Sequence, residues 1–283
     1  MLQIFKNLFI LLFLFFILIS KAEAKKHFYK MIDPDGYDHY IFGTMHSDDA
    51  EITNLTRDIE NAIEKSDIFL METGPVSDSK ILFSNGALYD EYLSDSELDL
   101  LKKLSDFHVI DYDNVIHMKP WIVAIIFSSP IQSTPFNQDR MLKDMADAKM
   151  KMTQGLLDAN EHFSSLDILS FEQQFSFLKK ILYMTDEEKK FDYEKLLDLY
   201  KNNTLEDVLE ADLAITKKMF PDDIWPEVKE KILDNRNNLF SNRIEQLVHG
   251  NKLFIAVGAS HLAGSSGIIN NLSKKKYTFI KID

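Results

Sequence analysis

Short, dense apolar runs of strand length stand near the two ends of the chain. Between them, apolar residues recur at helical spacing over a long stretch. His27 to Met31 and Tyr37 to Phe42 are strand-like. Asp33-Pro34-Asp35-Gly36 between them has the residues of a tight turn, so the pair predicts a β-hairpin. After polar Ser47 to Glu51, the positions Leu55, Ile59, Ala62 and Ile63 predict a helix capped by Thr53 or Asn54. Asp67 to Glu72 then reads as a buried strand. Strand, helix and strand in so short a span predict a βαβ unit, whose parallel strands end on one edge. His46 and Glu72 both fall at such ends, on the edge where open α/β sheets bind ligands.

Leu98, Leu101 and Leu104 predict a helix capped by Ser94 or Ser96. Val109 to Tyr112 reads as a strand, Pro120 opens an apolar helix through Phe127, Asp139 to Met150 reads as helix and Lys151 to Leu157 as strand. Helices are expected at about 170–184, 186–201, 204–219 and 226–249, interrupted at Pro221 and Pro226 and stopped at Gly250-Asn251. Lys252 to Val257 (strand), Gly258 to Ser266 (loop), Gly267 to Ser273 (helix) and Tyr277 to Ile282 (strand) then echo the opening unit. The pattern implies an α/β (α+β) fold with a central mixed, mostly parallel sheet built from N- and C-terminal segments. A large helical region, at about 90–249, is inserted in a single domain over 25–283.

The first 24 residues break this pattern. Lys6 precedes the uncharged run Leu8 to Ile19, and Ser20-Lys21-Ala22-Glu23-Ala24 ends small-x-small. That order is a secretory signal peptide, and the run falls short of the roughly 20 apolar residues a span needs. The expectation is a protein exported to the periplasm or secreted, with no membrane span after cleavage. The formal charge of -13 argues against a nucleic-acid partner. No Cys is present, which excludes thiolate ligands, a Cys nucleophile and disulfides.

The candidate chemistry lies in a repeated spelling. Gly43-Thr44-Met45-His46 and Gly258-Ala259-Ser260-His261 each end an apolar strand in Gly-x-x-His. Each Gly would let the backbone turn sharply there. His46, His261 and Glu72 are suitable ligands for a divalent metal that activates water and polarises a carbonyl. Thr44 and Ser260 could add hydroxyls to the site or to a substrate. Arg236 and Asn237 lie in the long last helix, with Arg243 on the same face. An Arg aimed at the site would stabilise an oxyanion or hold a substrate carboxylate. The plainer alternatives are hydrogen-bonded structural histidines and an Arg salt bridge. His108 and His117, flanking Asp111 and Asp113, read as surface residues, and Phe171, Phe175 and Leu178 as a core stripe. No P-loop, Gly-x-Ser-x-Gly or dinucleotide fingerprint is present.

These residues resemble the TraB/GumN family, which includes pheromone-shutdown proteins and the Tiki metalloproteases. The resemblance rests on Gly43 to His46, a strand ending in Glu72, Arg236-Asn237 in a late helix, and the closing run Val257 to Gly264. Between them, Leu166 to Gln174 has a similar segment. It implies a fold like the erythromycin-esterase and ChaN-like proteins and, for Tiki-like members, Mn²⁺- or Co²⁺-dependent peptidase activity. His46 and His261 would be the paired histidines, Glu72 the acidic partner and Arg236 the helix arginine. Many members carry Leu-Glu-Thr where this chain has Leu157-Asp158-Ala159, which puts a role for that acid in doubt. The expected function is an exported metal-dependent hydrolase acting on a peptide or small molecule, with Mn, Co or Zn bound. The alternative is a non-enzymatic envelope protein binding a peptide, haem or another small ligand, as ChaN-like relatives bind haem.

Overall fold

The computed structural model describes residues 26–84, 89–130 and 134–282. The expected signal peptide at 1–24 lies outside them. Six strands form one sheet: β1 (Phe28–Ile32), β2 (Asp38–Thr44), β3 (Ile68–Thr73), β4 (Met152–Leu157), β5 (Leu253–Gly258) and β6 (Thr278–Lys281), in the spatial order β4-β3-β5-β2-β1-β6. β4, β3, β5 and β2 run parallel, and β1 is antiparallel to both β2 and β6.

Burial follows the strand period of two. Met31, Ile41, Leu70, Ile255 and Val257 face one core. Phe28, Phe42, Phe69, Phe254 and Ala256 face the other. β5, buried on both faces from Leu253 to Val257, is the continuous apolar run expected of an inner parallel strand. Helix α1 (Arg57–Lys65) covers the second face with Ile59, Ala62 and Ile63.

β2 and β3 are parallel, but they do not form the adjacent βαβ pair expected from sequence. β5 sits between them and pairs with both. Local sequence could not show that a strand some two hundred residues later takes the central place. Three smaller features also differ from expectation. The N-cap of α1 is Thr56, because Ala50–Thr53 forms its own short turn capped by Asp49. Val109 to Tyr112 is not a strand: Val109 has φ 56 and closes helix α2 (Asp95–Phe107), and Tyr112–Val115 is helical. His108 is half-buried and stacks on Phe127 with ring centroids 5.0 Å apart, so it is not a free surface residue.

The middle of the chain is helical, as its periodicity requires. α3 (Pro120–Ser128), α4 (Gln138–Ala148), α5 (Ala159–Phe163), α6 (Phe171–Tyr183), α7 (Asp186–Asn202) and α8 (Leu205–Lys218) come in order. Reciprocal capping boxes start five helices, with Ser94, Asp158, Ser170, Thr185 and Thr204 as N-caps. Each satisfies two backbone donors that a helix end leaves over, so the turn residues in the sequence set where these helices begin. Asp158, the departure from the family pattern, is therefore the N-cap of α5. Trp121, Phe127, Phe175, Phe177, Leu178 and Phe220 form a core separate from the sheet's.

The last long helix is interrupted. Trp225–Lys229 passes into a π-helical turn at Glu230–Asp234 before α9 (Asn235–Leu247). The extra residue of a π turn re-aims the side chains beyond it, often at functional sites. Here Arg236 comes two positions after the turn. The chain returns through β5 and α10 (Ile268–Ser273) to β6. No helix among the described residues is long and apolar enough to cross a membrane.

Candidate functional site

Glu72 is the centre of the site. It leaves the C-terminal end of β3, and its Oε1 accepts the Gly258 backbone N–H at 2.7 Å. Oε2 accepts from Arg236 Nη2 at 2.6 Å. A Cβ on residue 258 would stand 3.0 Å from Glu72 Oε1. Gly258 itself has φ -52 and ψ 137, which any residue adopts. Its glycine is therefore needed for this close approach, not for the sharp turn expected from sequence.

His261 lies in a short 3₁₀ turn, Ala259–His261, and is buried. Its Nδ1 is 2.6 Å from Asn237 Oδ1. An amide oxygen only accepts, so Nδ1 carries the proton and Nε2 keeps its lone pair, 3.7 Å from Glu72 Oε1. Burial and the neighbouring Arg236 hold the His261 pKa down to about 4, although Glu72 opposes this. The ring is therefore neutral at pH 7.

His162, on α5, is the third imidazole. Arg236 Nη2 lies 3.1 Å from its Nδ1, and a guanidinium only donates, so Nδ1 is the acceptor. Burial and Arg236 hold this ring near pKa 4 as well. Glu72 is kept ionised, with a pKa of about 2. Burial alone would raise it, and the charges of His261 and Arg236 and the Gly258 N–H more than offset that. With His261 neutral at pH 7, Arg236 is the counter-charge that remains.

Two donors in this group are buried with no partner among the described residues, Arg236 Nε and Asn237 Nδ2. Buried N–H groups are nearly always satisfied, so such orphans mark places where a bound molecule would supply an acceptor. Arg243, one face along α9, does something else. It donates to Glu161 and to the Leu156 carbonyl, and so ties α5 to the end of β4. Both arginines are in salt bridges, Arg243 with Glu161 and Arg236 with Glu72, and only the second pair stands beside His261.

Ser260 donates to Asp212 Oδ2 at 2.6 Å. Burial raises the Asp212 pKa, and the charge of Glu72 adds to the rise. Ser260, His261, His162, Arg236 and Asp212 all border one cavity of ≈ 410 Å³, whose walls are mainly apolar. It lies where the helical core, with Trp121, Phe177 and Phe220, meets the sheet edge.

His46 and Thr44 stand apart from this group. Thr44 donates to Asp139 Oδ1 at 2.8 Å. Gln138 Oε1 accepts the Met45 N–H at 2.8 Å, and the Tyr200 hydroxyl lies 2.7 Å from the Gly43 carbonyl oxygen. Held so, the chain turns His46 outward against Asn137, 3.0 Å away, and toward Asp139, 3.7 Å away, with its side chain 75% exposed. The structure thus unites Glu72, Arg236, Asn237, His261 and Ser260 and sets His46 and Thr44 against the start of α4, where His46 still feels the charge of Glu72.

As arranged, these residues do not fit a divalent metal. The Arg236 guanidinium occupies Glu72 Oε2, and no three His, Asp or Glu side chains among the described residues converge on one point. His162 and Asp212 were missed in the sequence. Signals existed. His162 lies just beyond β4 at the same edge as Glu72, and Asp212 is a carboxylate beside the buried positions Leu205, Val208 and Ala211 of α8.

A mixed, mostly parallel sheet with an Arg–Glu–His cluster at its carboxyl edge, beside the helices of the middle of the chain, is the architecture this chain presents. The model of the TraB/PrgY/gumN family matches residues 28–280, and the chain belongs to that family. No curated protein matches it in a sequence comparison.

Proposed function

We propose that the cavity is the active site of a hydrolase acting on a carbonyl bond of a peptide or small molecule. The observation that carries this reading is Arg236. It is held by Glu72 and His162, keeps a buried unpartnered Nε–H, and stands beside a neutral His261 with a free Nε2. Fixed donors aimed where negative charge develops are the largest single contribution in such reactions. In this reading a water attacks the carbonyl while His261 Nε2 takes one of its protons. Arg236 receives the oxyanion. The proton then passes from His261 to the leaving group, which departs as the carbonyl reforms. Glu72 keeps Arg236 in place, and Asn237 fixes the His261 tautomer.

The test is hydrolysis of a panel of peptides and esters by the purified protein and its Arg236→Lys and His261→Ala variants. Turnover that both substitutions remove supports the reading, and turnover that survives both overturns it. Metal content of the protein as purified, beside a His46→Ala/His261→Ala double variant, decides whether Mn²⁺, Co²⁺ or Zn²⁺ is recruited. Export is proposed from the basic-apolar-small order of residues 1–24, and is tested by the N-terminal residue of the secreted or periplasmic form.

A second reading is a binding protein of the envelope. The observation favouring it is the apolar wall of the cavity, which suits retention of a peptide or other ligand as well as its cleavage. Tight binding without turnover would select it.

A further inference from the structure

Helix α7 turns one face to the cavity. Lys189, Asp192, Tyr193 and Leu196 border it, at the i, i+3, i+4, i+7 spacing of a helical stripe. Lys189 is 6% exposed. A Lys so deeply buried is almost always paired. Yet among the described residues its ammonium makes no hydrogen bond and no ion pair, and the charge favouring its protonated form is that of exposed Asp186.

The other charges on the cavity wall have partners. Asp192 is bridged by Lys218 at 2.7 and 3.0 Å. Arg236 is paired with Glu72, and Asp212 takes the Ser260 hydroxyl. Lys189 sits near the start of a helix of 17 residues whose first turn carries Asp186, Glu187 and Glu188, none of which pairs with its ammonium. Burial pushes its pKa down, the cost an unpaired ammonium bears in an apolar wall.

We propose that the cavity takes an apolar molecule ending in a carboxylate, with the acid held by Lys189 at the α7 end and the apolar body along Leu196, Leu213 and Phe220. This inference rests on reading the cavity as the ligand site and names the chemistry of what enters it. The carboxylate supplies the missing counter-charge, and the ≈ 410 Å³ volume suits a body of modest size. Two sources share that chemistry: a free fatty acid and a peptide with an apolar C-terminal residue.

The test uses calorimetric titration of the full chain with decanoate and decanol, and with acetyl-Leu-Leu and its C-terminal amide. At least one acid is expected to bind at least tenfold more tightly than its neutral counterpart. Lys189→Met should remove that preference, while Lys189→Arg retains most of it. Preference for decanoate alone identifies a fatty acid, for the peptide acid alone a peptide, and either supports the proposal. Equal binding of acid and neutral probe, no binding of any probe, or a preference that survives Lys189→Met overturns it.

Lys189→Met removes a buried unpaired charge, so its melting temperature should equal or exceed that of the parent, which separates loss of the site from loss of fold. If Lys189-dependent binding appears without hydrolysis of any substrate, the hydrolase reading fails while the carboxylate site stands. If hydrolysis appears with no acid preference, the reverse holds.

Discussion

The chain spells Gly-x-x-His twice at the ends of neighbouring parallel strands, yet the two histidines have opposite environments. His261 is buried, bonded to Asn237 and held neutral, with a pKa of about 4. His46 is largely exposed, and its pKa is raised, first by hydrogen bonding to Asp139. The register explains the difference. Thr44, not Gly43, pairs with Gly258, so the first motif lies one residue behind the second on the ladder. A shift of one residue reverses the face a side chain takes. The continuations differ as well. β5 ends at Gly258 and folds into a 3₁₀ turn against α8, whereas Gly43 and Met45 are tied to Tyr200 and Gln138 and the chain bends toward α4. Motif identity therefore does not imply equal roles. The partners that close over each strand end decide them.

This contrast is open to measurement. The largest expected effect is on turnover: His261→Ala should lose activity by about 10²-fold or more, as removal of a positioned proton carrier does. His46→Ala should change it only a few-fold. Equal losses would break the contrast and favour a shared metal. On stability, His261→Ala leaves Asn237 Oδ1 unsatisfied and should cost about 1–3 kcal/mol in urea unfolding. His46→Ala should stay within about 0.5 kcal/mol, as exposed positions do.

The two glycines should separate in the same way. Gly43→Ala brings a Cβ to 3.0 Å from Leu262 Cδ1 and 3.1 Å from Ala259 Cα, so it should destabilise by about 1–3 kcal/mol through overpacking. Gly258→Ala meets Glu72 Oε1 instead. It should reduce turnover more than melting temperature, because it is the carboxylate that must shift.

Acid should expose the difference between the histidines in sign. His27, His162 and His261 are held near pKa 4, in each case first by burial. Unfolded, they take up protons near the ordinary value of about 6.5. Stability should therefore fall as pH drops from about 6.5 toward 4, and His261→Gln should flatten part of that slope. Glu72 contributes in a lower window, with stability present above about 4.5 and lost toward pH 2. His46, whose folded pKa is raised, stabilises below about 6.5, and that contribution fades as pH rises through its folded value. Its exposure makes this the smallest effect of the set. Thermal melts of the single variants from pH 8 to 4 measure all of them.

Much of the architecture was legible because it depends on local periodicity. The strands at 28–32, 38–44, 68–73 and 253–258 alternate or run apolar, and Ser94, Ser170, Thr185 and Thr204 start helices with an acidic or amide residue three positions on. Of the site, Glu72, Ser260 and His261 could be picked out because each sits at or just beyond a strand end, and Arg236 and Asn237 because the pair stands in a late helix as in the family pattern. His162 and Asp212 carried weaker signals, a place just beyond a strand and a carboxylate beside buried helix positions, which do not by themselves tell a cavity-lining polar residue from a surface one. Val109 misled, because a β-branched residue in a left-handed helix end resembles the first residue of a strand.

The sequence by itself determined which segments are strands and helices, where most of them begin, and that two Gly-x-x-His turns close apolar strands. Those features come from side-chain period and capping chemistry within a few residues. Tertiary structure alone decided that β5 enters between β2 and β3, that Arg236 rather than a second motif histidine meets Glu72, and that Lys189 faces a cavity without a counter-ion. The physical reason is that burial and pairing depend on neighbours brought from 24 to 186 residues away, as Asn237 is to His261 and Gly258 to Glu72.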